Sequence, residues 1–295
     1  MDPKQLEALK RSGRIIATIL TMAKKWLKPG VSILRICEKI ENAIQKMAAM
    51  PAFPANISIN EQAAHYTSPP FDKSVLPSYG VVKLDIGASI EGWITDTAVS
   101  IALSKKLEDL IQVSQEALNK AISLVKDGVR VSKLSSAIQY VIESAGYVPV
   151  KNLTGHRINR YTLHTGMTIP NVKHVTLRKK LKTDMIVAIE PFVTTGQSGW
   201  VVSAPISYIF SLHSPGNEKM TQTIWSTRKR LPFCTRWVMK YFPQTSHTKL
   251  LQILKKDRNI ISYPILIDQD QGMISQSEHT VLVAKNGCSI LTSPN

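Results

Sequence analysis

The chain has 295 residues, 43% of them hydrophobic, which is enough to bury a substantial core in one large domain or in two. Its 37 basic and 21 acidic residues give a net charge of +16. This charge favours anionic partners, but the basic residues are scattered and form neither a zinc finger nor an RNA-binding aromatic signature. The sequence shows no membrane span, no signal peptide and no metal-ligand spacing among its three cysteines, so we expect a cytoplasmic protein.

The N-terminal part of the chain predicts an amphipathic helix over residues 6–27 that ends at Pro29-Gly30. An internal repeat begins directly after it: residues 28–44 read KPGVSILRICEKIENAI and residues 126–142 read KDGVRVSKLSSAIQYVI. Both copies place a Gly before apolar residues at helical spacing. The repeat therefore predicts two similar half-domains.

The stretch KLDIGASIEGWITDTAV, residues 83–99, places two aspartates in segments that otherwise resemble β-strands. Asp is depleted in strands. With GASIEG as the turn, the stretch predicts a hairpin in which Asp85 faces Asp96 across the ladder. Like charges in that position are unfavourable, so a bound cation is the simplest compensation; two solvated carboxylates on a surface hairpin are the alternative.

The remaining elements follow in order: a strand over 93–102, a helix over 107–125, an apolar run MIVAIEPF over 185–192 and a strand over 274–283. Residues 210–262 differ in character, because they are helical and basic with interspersed aromatic residues. We expect them to form an inserted subdomain, and residues 1–209 and 263–295 to form the main domain.

Acids and histidines interrupt several apolar segments, at His65, Asp85, Asp96, His156, His164, Glu190 and Glu278. Charged residues are rarely buried unless they are paired or bind a metal. Carboxylates with an imidazole suit Mn, Fe, Co or Zn, and two-metal sites recur in aminopeptidases. Because Glu278 and His279 are adjacent in a strand, only one can face such a site, and we expect it to be Glu278. Taken alone, His65 is more typical of a turn or surface histidine.

Five motifs occur in a familiar order: AHYT, KLDIG…ITDTA, NLTGHRINRYTLHTG, AIEPF and QSEHTVLV. Together they resemble the type 2 methionine aminopeptidases, most of all the archaeal form, over nearly the whole chain. The resemblance implies the α+β pita-bread fold, two pseudo-symmetric αβ halves around a di-metal site. It also implies that residues 210–262 correspond to the helical, winged-helix-like insertion that separates type 2 from type 1.

The resemblance further implies specific roles. The five residues that match the family's metal ligands are Asp85, Asp96, His156, Glu190 and Glu278. Asp96 and Glu278 would bridge two divalent ions (Co, Mn, Fe or Zn), Asp85 would bind one ion, and His156 with Glu190 the other. His65 and His164 match the catalytic histidines, Glu190 would be the general base, and Phe53 and Tyr263 match aromatic positions at the methionine pocket.

The implied function is removal of the initiator methionine from nascent polypeptide N-termini, with a small second residue preferred. The enzyme is expected to be a monomer and to have neither DNA nor a membrane as a partner. The basic surface could serve ribosome binding. Two alternatives stay open: a non-catalytic pita-bread protein that binds RNA or the ribosome, and an Xaa-Pro peptidase. The sequence departs from the family at Arg157, Thr165 and Ser277, and these departures bear on rate and substrate range.

Overall fold

The computed structural model describes residues 1–174 and 176–293. Val175, Pro294 and Asn295, which belong to the predicted main domain, lie outside the described residues. The helices are α1 (Pro3–Lys24), α2 (Ile33–Lys46), α3 (Glu108–Ile122), α4 (Val131–Ser144), α5 (Lys219–Arg228), α6 (Thr235–Tyr241) and α7 (His247–Lys256), with a short 3₁₀ turn at Lys105–Leu107. Among the described residues, no helix combines the length and apolar character needed to cross a bilayer.

The strands are β1 (Met50–Pro51), β2 (Asn56–Ile59), β3 (Gln62–Ala64), β4 (Val81–Ile90), β5 (Trp93–Ala102), β6 (Val148–Pro149), β7 (Thr154–Ile158), β8 (Thr168–Pro170), β9 (Ile186–Ile189), β10 (Phe192–Thr194), β11 (Val201–Leu212), β12 (Phe233–Cys234), β13 (Ile260–Asp268), β14 (Ile274–Gln276), β15 (Glu278–Ala284) and β16 (Gly287–Ile290). The central sheet runs β1-β4-β5-β15-β9-β7-β8, with β2 beside β4 and β16 beside β15. Two smaller sheets contain β14-β10-β6 and β12-β11-β13-β3. The strand predicted over 274–283 is thus divided at Ser277 between two sheets.

The β4-β5 hairpin corrects two expectations. Its turn is only Glu91-Gly92, both at positive φ (52° and 86°), which is the two-residue geometry that matches strand twist. Asp85 pairs with Ala98 rather than with Asp96, so the two aspartates are diagonal neighbours on one face. Gly87 does not lie in the turn: it lies within β4, where a Cβ atom would come 2.5 Å from the ring of Phe53. The glycine is therefore required by close packing against this aromatic ring, rather than by a reversal of the chain.

The internal repeat forms equivalent structures in the two halves. Gly30 and Gly128 both have φ of 77°, where glycine is favoured, and each lies just before a helix, α2 or α4. Their amides donate to the carbonyls of Leu76 and Leu181 at 2.8 and 2.9 Å. Each half therefore fixes its second helix with the same turn.

Each half buries its own apolar cluster between its helices and the central sheet. Side chains of α1 and α2 pack on β4, around residues such as Ile16, Ile40 and Leu84. Those of α3 and α4 pack on β9 and β15, around residues such as Leu134 and Val187. The architecture is the α+β arrangement of two αβ halves, and the central sheet continues from one half into the other.

In chain order, the helices α5, α6 and α7 come between β11 and β13, two long strands that pair with each other. They bury a separate apolar cluster with the strand residues Phe210 and Leu212. Both strands run across the boundaries predicted at 210 and 262, so the helical segment continues from the sheet without a break in the strands. On the other side it is anchored to α2 by the buried ion pair of Arg236 with Glu41.

Candidate metal centre and active site

The predicted metal-ligating side chains come from five strands that are consecutive neighbours in the central sheet. In sheet order these strands are β4, β5, β15, β9 and β7. They carry, respectively, Asp85, Asp96, Glu278, Glu190 and His156, with Glu190 directly after the end of β9. Residues that are far apart in the sequence are therefore brought together by strand order alone.

Ladder register places three of the acids on the same face of the sheet. Ala98 of β5 pairs with Asp85 on one side and with Glu278 on the other. Asp96 is two residues from Ala98, and in a strand this keeps its side chain on the same face. Its backbone is locked to β15, because the amide of Asp96 donates to Thr280 Oγ1 at 2.8 Å.

The same rule brings in the other two ligand candidates. His156 pairs with Ala188 of β9, and Glu190 lies two residues beyond Ala188. The Nε2 atom of His156 is 3.6 Å from Glu190 Oε1 and 3.7 Å from Asp96 Oδ2. The imidazole thus faces two carboxylates from different strands.

Several oxygen atoms of these carboxylates are buried without a hydrogen-bond partner among the described residues. Ligand atoms of Asp96, His156 and Glu278 lie within 4.8 Å of one another. Among the described residues, Asp85 Oδ1, Asp96 Oδ1 and Glu278 Oε1 are buried and accept no hydrogen bond. Orphaned, converging carboxylate oxygens beside an imidazole are the donor set of a divalent-cation site. The residues present therefore fit a metal centre.

Electrostatics point the same way. Burial raises the pKa of Asp85 to about 7 and, together with the charge of neighbouring carboxylates, raises the pKa values of Asp96, Glu190 and Glu278 well above their ordinary range. Four acids this close cannot all ionise without a compensating positive charge. A bound cation supplies that charge and would keep them ionised.

Gln276 is a site residue that the sequence reasoning missed. Its Nε2 donates to Glu190 Oε2 at 3.2 Å, so it orients the carboxylate that also faces His156. Gln276 is nearly fully buried at the end of β14. The available signal was its position two residues before Glu278. In a continuous strand, residues two apart have their side chains on the same face, so Gln276 would be expected beside Glu278.

Two further histidines lie against the ligand cluster. The ring of His164 is 4.3 Å from that of His156, centroid to centroid, and burial followed by the charge of His65 lowers the pKa of His164 to about 4. His65, at φ 67°, places Nδ1 3.1 Å from the carbonyl oxygen of Pro264. A carbonyl can only accept, so Nδ1 carries the proton and Nε2 is the basic nitrogen. Both rings are neutral near pH 7.

The predicted aromatic residues complete one cavity of about 220 Å³ that holds all of these groups. Tyr263 lies 5.6 Å from the His65 ring and 6.3 Å from the His164 ring, and its hydroxyl is 3.1 Å from Ser211 Oγ. Phe53 is buried in an apolar cluster with Leu163. Other lining residues that sequence reasoning did not single out are Asn56, Asn152, Ile209 and Pro232. Asn152 is the first residue of the NLTGHRINRYTLHTG motif, and the other three lie outside the five quoted motifs.

The three departures noted in the sequence lie outside this cavity. Arg157 follows His156 in β7 and so faces the other side, where it lines an open depression with Thr165 and several lysines. Arg157 therefore lies away from the active-site cavity, because successive side chains of a strand alternate between its two faces. Ser277 Oγ is buried 2.8 Å from Ser114 Oγ. His279 faces away from Glu278 and is 2.9 Å from Thr292 Oγ1.

Comparison with known proteins agrees with this geometry. Residues 7–284 match the model of metallopeptidase family M24. The chain is 38% identical to the methionine aminopeptidase of Pyrococcus abyssi, over 97% of this chain and 99% of that one, and 38% identical to that of Methanocaldococcus jannaschii, over 99% and 100%.

Among solved structures, the methionine aminopeptidase of Thermotoga maritima aligns over 99% of this chain and 98% of its own, with a TM-score of 0.74 and 24% identity. At this identity the likeness establishes the fold. Sequence, fold and the cluster of buried acids agree, and the chain therefore belongs to metallopeptidase family M24, in the group of the archaeal methionine aminopeptidases.

Proposed function

We propose that the protein removes the N-terminal methionine from peptides and nascent chains, with a small second residue preferred. The observation that carries the proposal is the convergence of five ligand-type side chains from five neighbouring strands on one cavity. The family relationship supports the same reaction. The cavity combines this acidic cluster with neutral histidines and aromatic walls, as a peptidase for an apolar N-terminal side chain requires.

Two divalent cations, of Co, Mn, Fe or Zn, would be held by Asp85, Asp96, His156, Glu190 and Glu278. When bound, they supply Lewis acidity that lowers the pKa of a shared water toward neutrality. Asp96 and Glu278 would serve both ions, Asp85 one of them, and His156 with Glu190 the other. The unpaired buried oxygens of Asp85, Asp96 and Glu278 support a role of these three acids in holding the ions.

The proton transfers fall to Glu190. Its carboxylate would accept the proton of the attacking water and later deliver it to the leaving amine. Gln276 supports this role because its amide holds one carboxylate oxygen and leaves Oε1 turned toward His156. The carboxylate of Glu190 is thus positioned by the hydrogen bond from Gln276 and by the neighbouring ring of His156.

The two histidines are proposed to act on the scissile peptide group. Neutral His164 would donate a hydrogen bond to the carbonyl oxygen as negative charge develops there. His65, fixed through Nδ1, would present Nε2 to the amide and orient it. Phe53 and Tyr263 would form the pocket for the methionine side chain, since both line the cavity beside these rings.

We propose that residues 210–262 form an insertion subdomain on a catalytic domain of residues 1–209 and 263–295, and the separate apolar cluster of its helices supports this division.

We also propose that the basic surface binds the ribosome. The depression lined by Arg157, Lys179, Lys180 and Lys182 is the basic site that we assign to this role. Co-sedimentation with ribosomes should fall steeply as salt rises; binding that is absent or indifferent to salt would remove this idea.

The catalytic proposal is tested by release of methionine from a Met-Ala-Ser peptide. Glu190→Gln should lower the rate by about 10²–10⁴, because a positioned general base contributes that much. Glu108→Gln, the same change at an exposed position in the first turn of α3, is the matched control and should keep full activity. A chelator should silence the wild-type chain, and Mn or Co should restore it.

Full turnover by the chelated chain would contradict the di-metal account. An unchanged rate in Glu190→Gln would refute the role of that residue. A folded chain with no peptidase activity under any metal would favour the non-catalytic binding protein instead.

A further inference from the structure

A second cavity of about 320 Å³ lies between α2, β1 and the inserted helices α5 and α6. It is separated from the active site by a thin wall: Pro51 and Phe233 line this second cavity, whereas Phe53 and Pro232 line the active site. Seven of its thirteen lining residues are apolar or aromatic and the other six are polar or charged, and its volume is within the range of small-molecule sites.

The cavity contains a buried cation without a counter-charge. Arg228 is only 8% exposed, and one terminal nitrogen donates to the carbonyls of Pro51, Ala52 and Pro232. Its Nε is buried and has no hydrogen-bond partner among the described residues. No carboxylate within 1–174 or 176–293 forms an ion pair with it. Burial accordingly lowers the pKa of Arg228, to about 10.

The acid in the cavity lining, Glu41, already pairs with another residue, Arg236. Both of its oxygens accept from Arg236, at 2.6 and 3.0 Å, and one also accepts from Trp237 Nε1 at 2.8 Å. Lys240 adds a second positive charge to the lining. The cavity is therefore cationic in sum.

The aromatic groups define the rest of the ligand. The guanidinium of Arg228 lies over the ring of Trp237, 4.7 Å from its centroid. Phe233 and Tyr241 also line the cavity, and more than half of Tyr241 is exposed. Flat apolar walls beside a buried cation suit a ligand with both a planar ring and a negative charge.

We propose that this cavity is a second ligand site, for a small organic anion with a planar aromatic body, whose charged group pairs with Arg228 while its ring packs on Trp237 and Tyr241. The site is independent of the peptidase reaction, because none of its polar groups belongs to the metal centre.

The test uses two fluorescent probes that differ by one sulfonate group: anilinonaphthalene sulfonate and the neutral phenylnaphthylamine. The full chain should bind one sulfonate probe saturably, and more tightly than the neutral probe by about tenfold or more, as expected for one charge-assisted hydrogen bond. Lys240→Glu should weaken sulfonate binding by about fivefold or more, because it reverses a charge of the lining. Arg230→Glu makes the same charge change at an exposed position outside the cavity and should have little effect.

Arg228→Met should remove the preference for the sulfonate probe, and a thermal melt checks that this variant is folded. Should it fail to fold, a crystal soaked with the sulfonate probe decides: the sulfonate should lie beside the guanidinium of Arg228. Equal affinity for the two probes, equal effects of Lys240→Glu and Arg230→Glu, or only water beside Arg228 would each overturn the proposal.

Discussion

The molecule buries carboxylates in two regions, and it treats them in opposite ways. Glu41, 5% exposed, accepts two hydrogen bonds from Arg236, one from Trp237 and one from the amide of Ala55. In the active-site cavity, Glu278 is 1% exposed and its Oε1 accepts no hydrogen bond from the described residues. Glu41, whose oxygens accept hydrogen bonds, holds the insertion to the main body. Glu278, whose Oε1 has no such bond among the described residues, is available to metal ions.

The contrast predicts opposite effects of removing one charge in the two regions. Glu41→Gln should lower the free energy of unfolding by about 3–5 kcal/mol, because it leaves Arg236 buried and unpaired. Glu278→Gln in the metal-free protein should be neutral or stabilising, because it relieves repulsion among acids. Urea denaturation of both variants measures this. Equal destabilisation by the two changes would erase the distinction between the regions.

Catalysis should depend on the cavity alone. His164→Ala should lower kcat by about 10²–10³, the usual effect of losing one donor to a developing oxyanion. The control is His213→Ala, an exposed histidine in the inserted segment, which should keep the wild-type rate. If kcat were unchanged in His164→Ala, the assignment of the oxyanion donor would have to move to another group.

The smallest expected effect is a pH dependence of stability that is strongest in the metal-free protein. The pKa of Asp85 rises from 3.8 to about 7 on folding. Between these values the folded chain binds more protons than the unfolded chain, so its stability should fall as pH rises. Thermal melts at about pH 5 and about pH 8 should show this fall without metal, and less of it with saturating Mn. Asp85→Asn should flatten the metal-free slope; an unaltered slope would contradict the role given to Asp85.

Some of the fold could be predicted from the sequence because the pattern was local. The strand over 93–102 and the two equivalent helices after Gly30 and Gly128 follow from alternation and helical spacing. The register of the β4-β5 hairpin could not be predicted, because Gly87 resembles a turn residue. Its actual constraint, the ring of Phe53, comes from another part of the chain.

The candidate site was predictable where a residue type was out of place. Acids within apolar strands are conspicuous, and so Asp85, Asp96 and Glu278 could be proposed in advance. For Gln276 the only signal was its position two residues before Glu278 in QSEHTVLV, and for Arg228 there was none, because an arginine in a basic segment is unremarkable. Only the tertiary structure shows that Gln276 orients Glu190 and that Arg228 is a buried cation with no ion pair among the described residues.

The central claim is that five side chains of the cavity hold two divalent cations, and calorimetric titration of the metal-free chain with Mn tests it most directly. The account predicts two ions bound per wild-type chain, two in Glu41→Gln wherever it folds, and a clear loss of stoichiometry or affinity in Asp96→Asn. No binding by the wild-type chain, or an unaltered isotherm in Asp96→Asn, would contradict it.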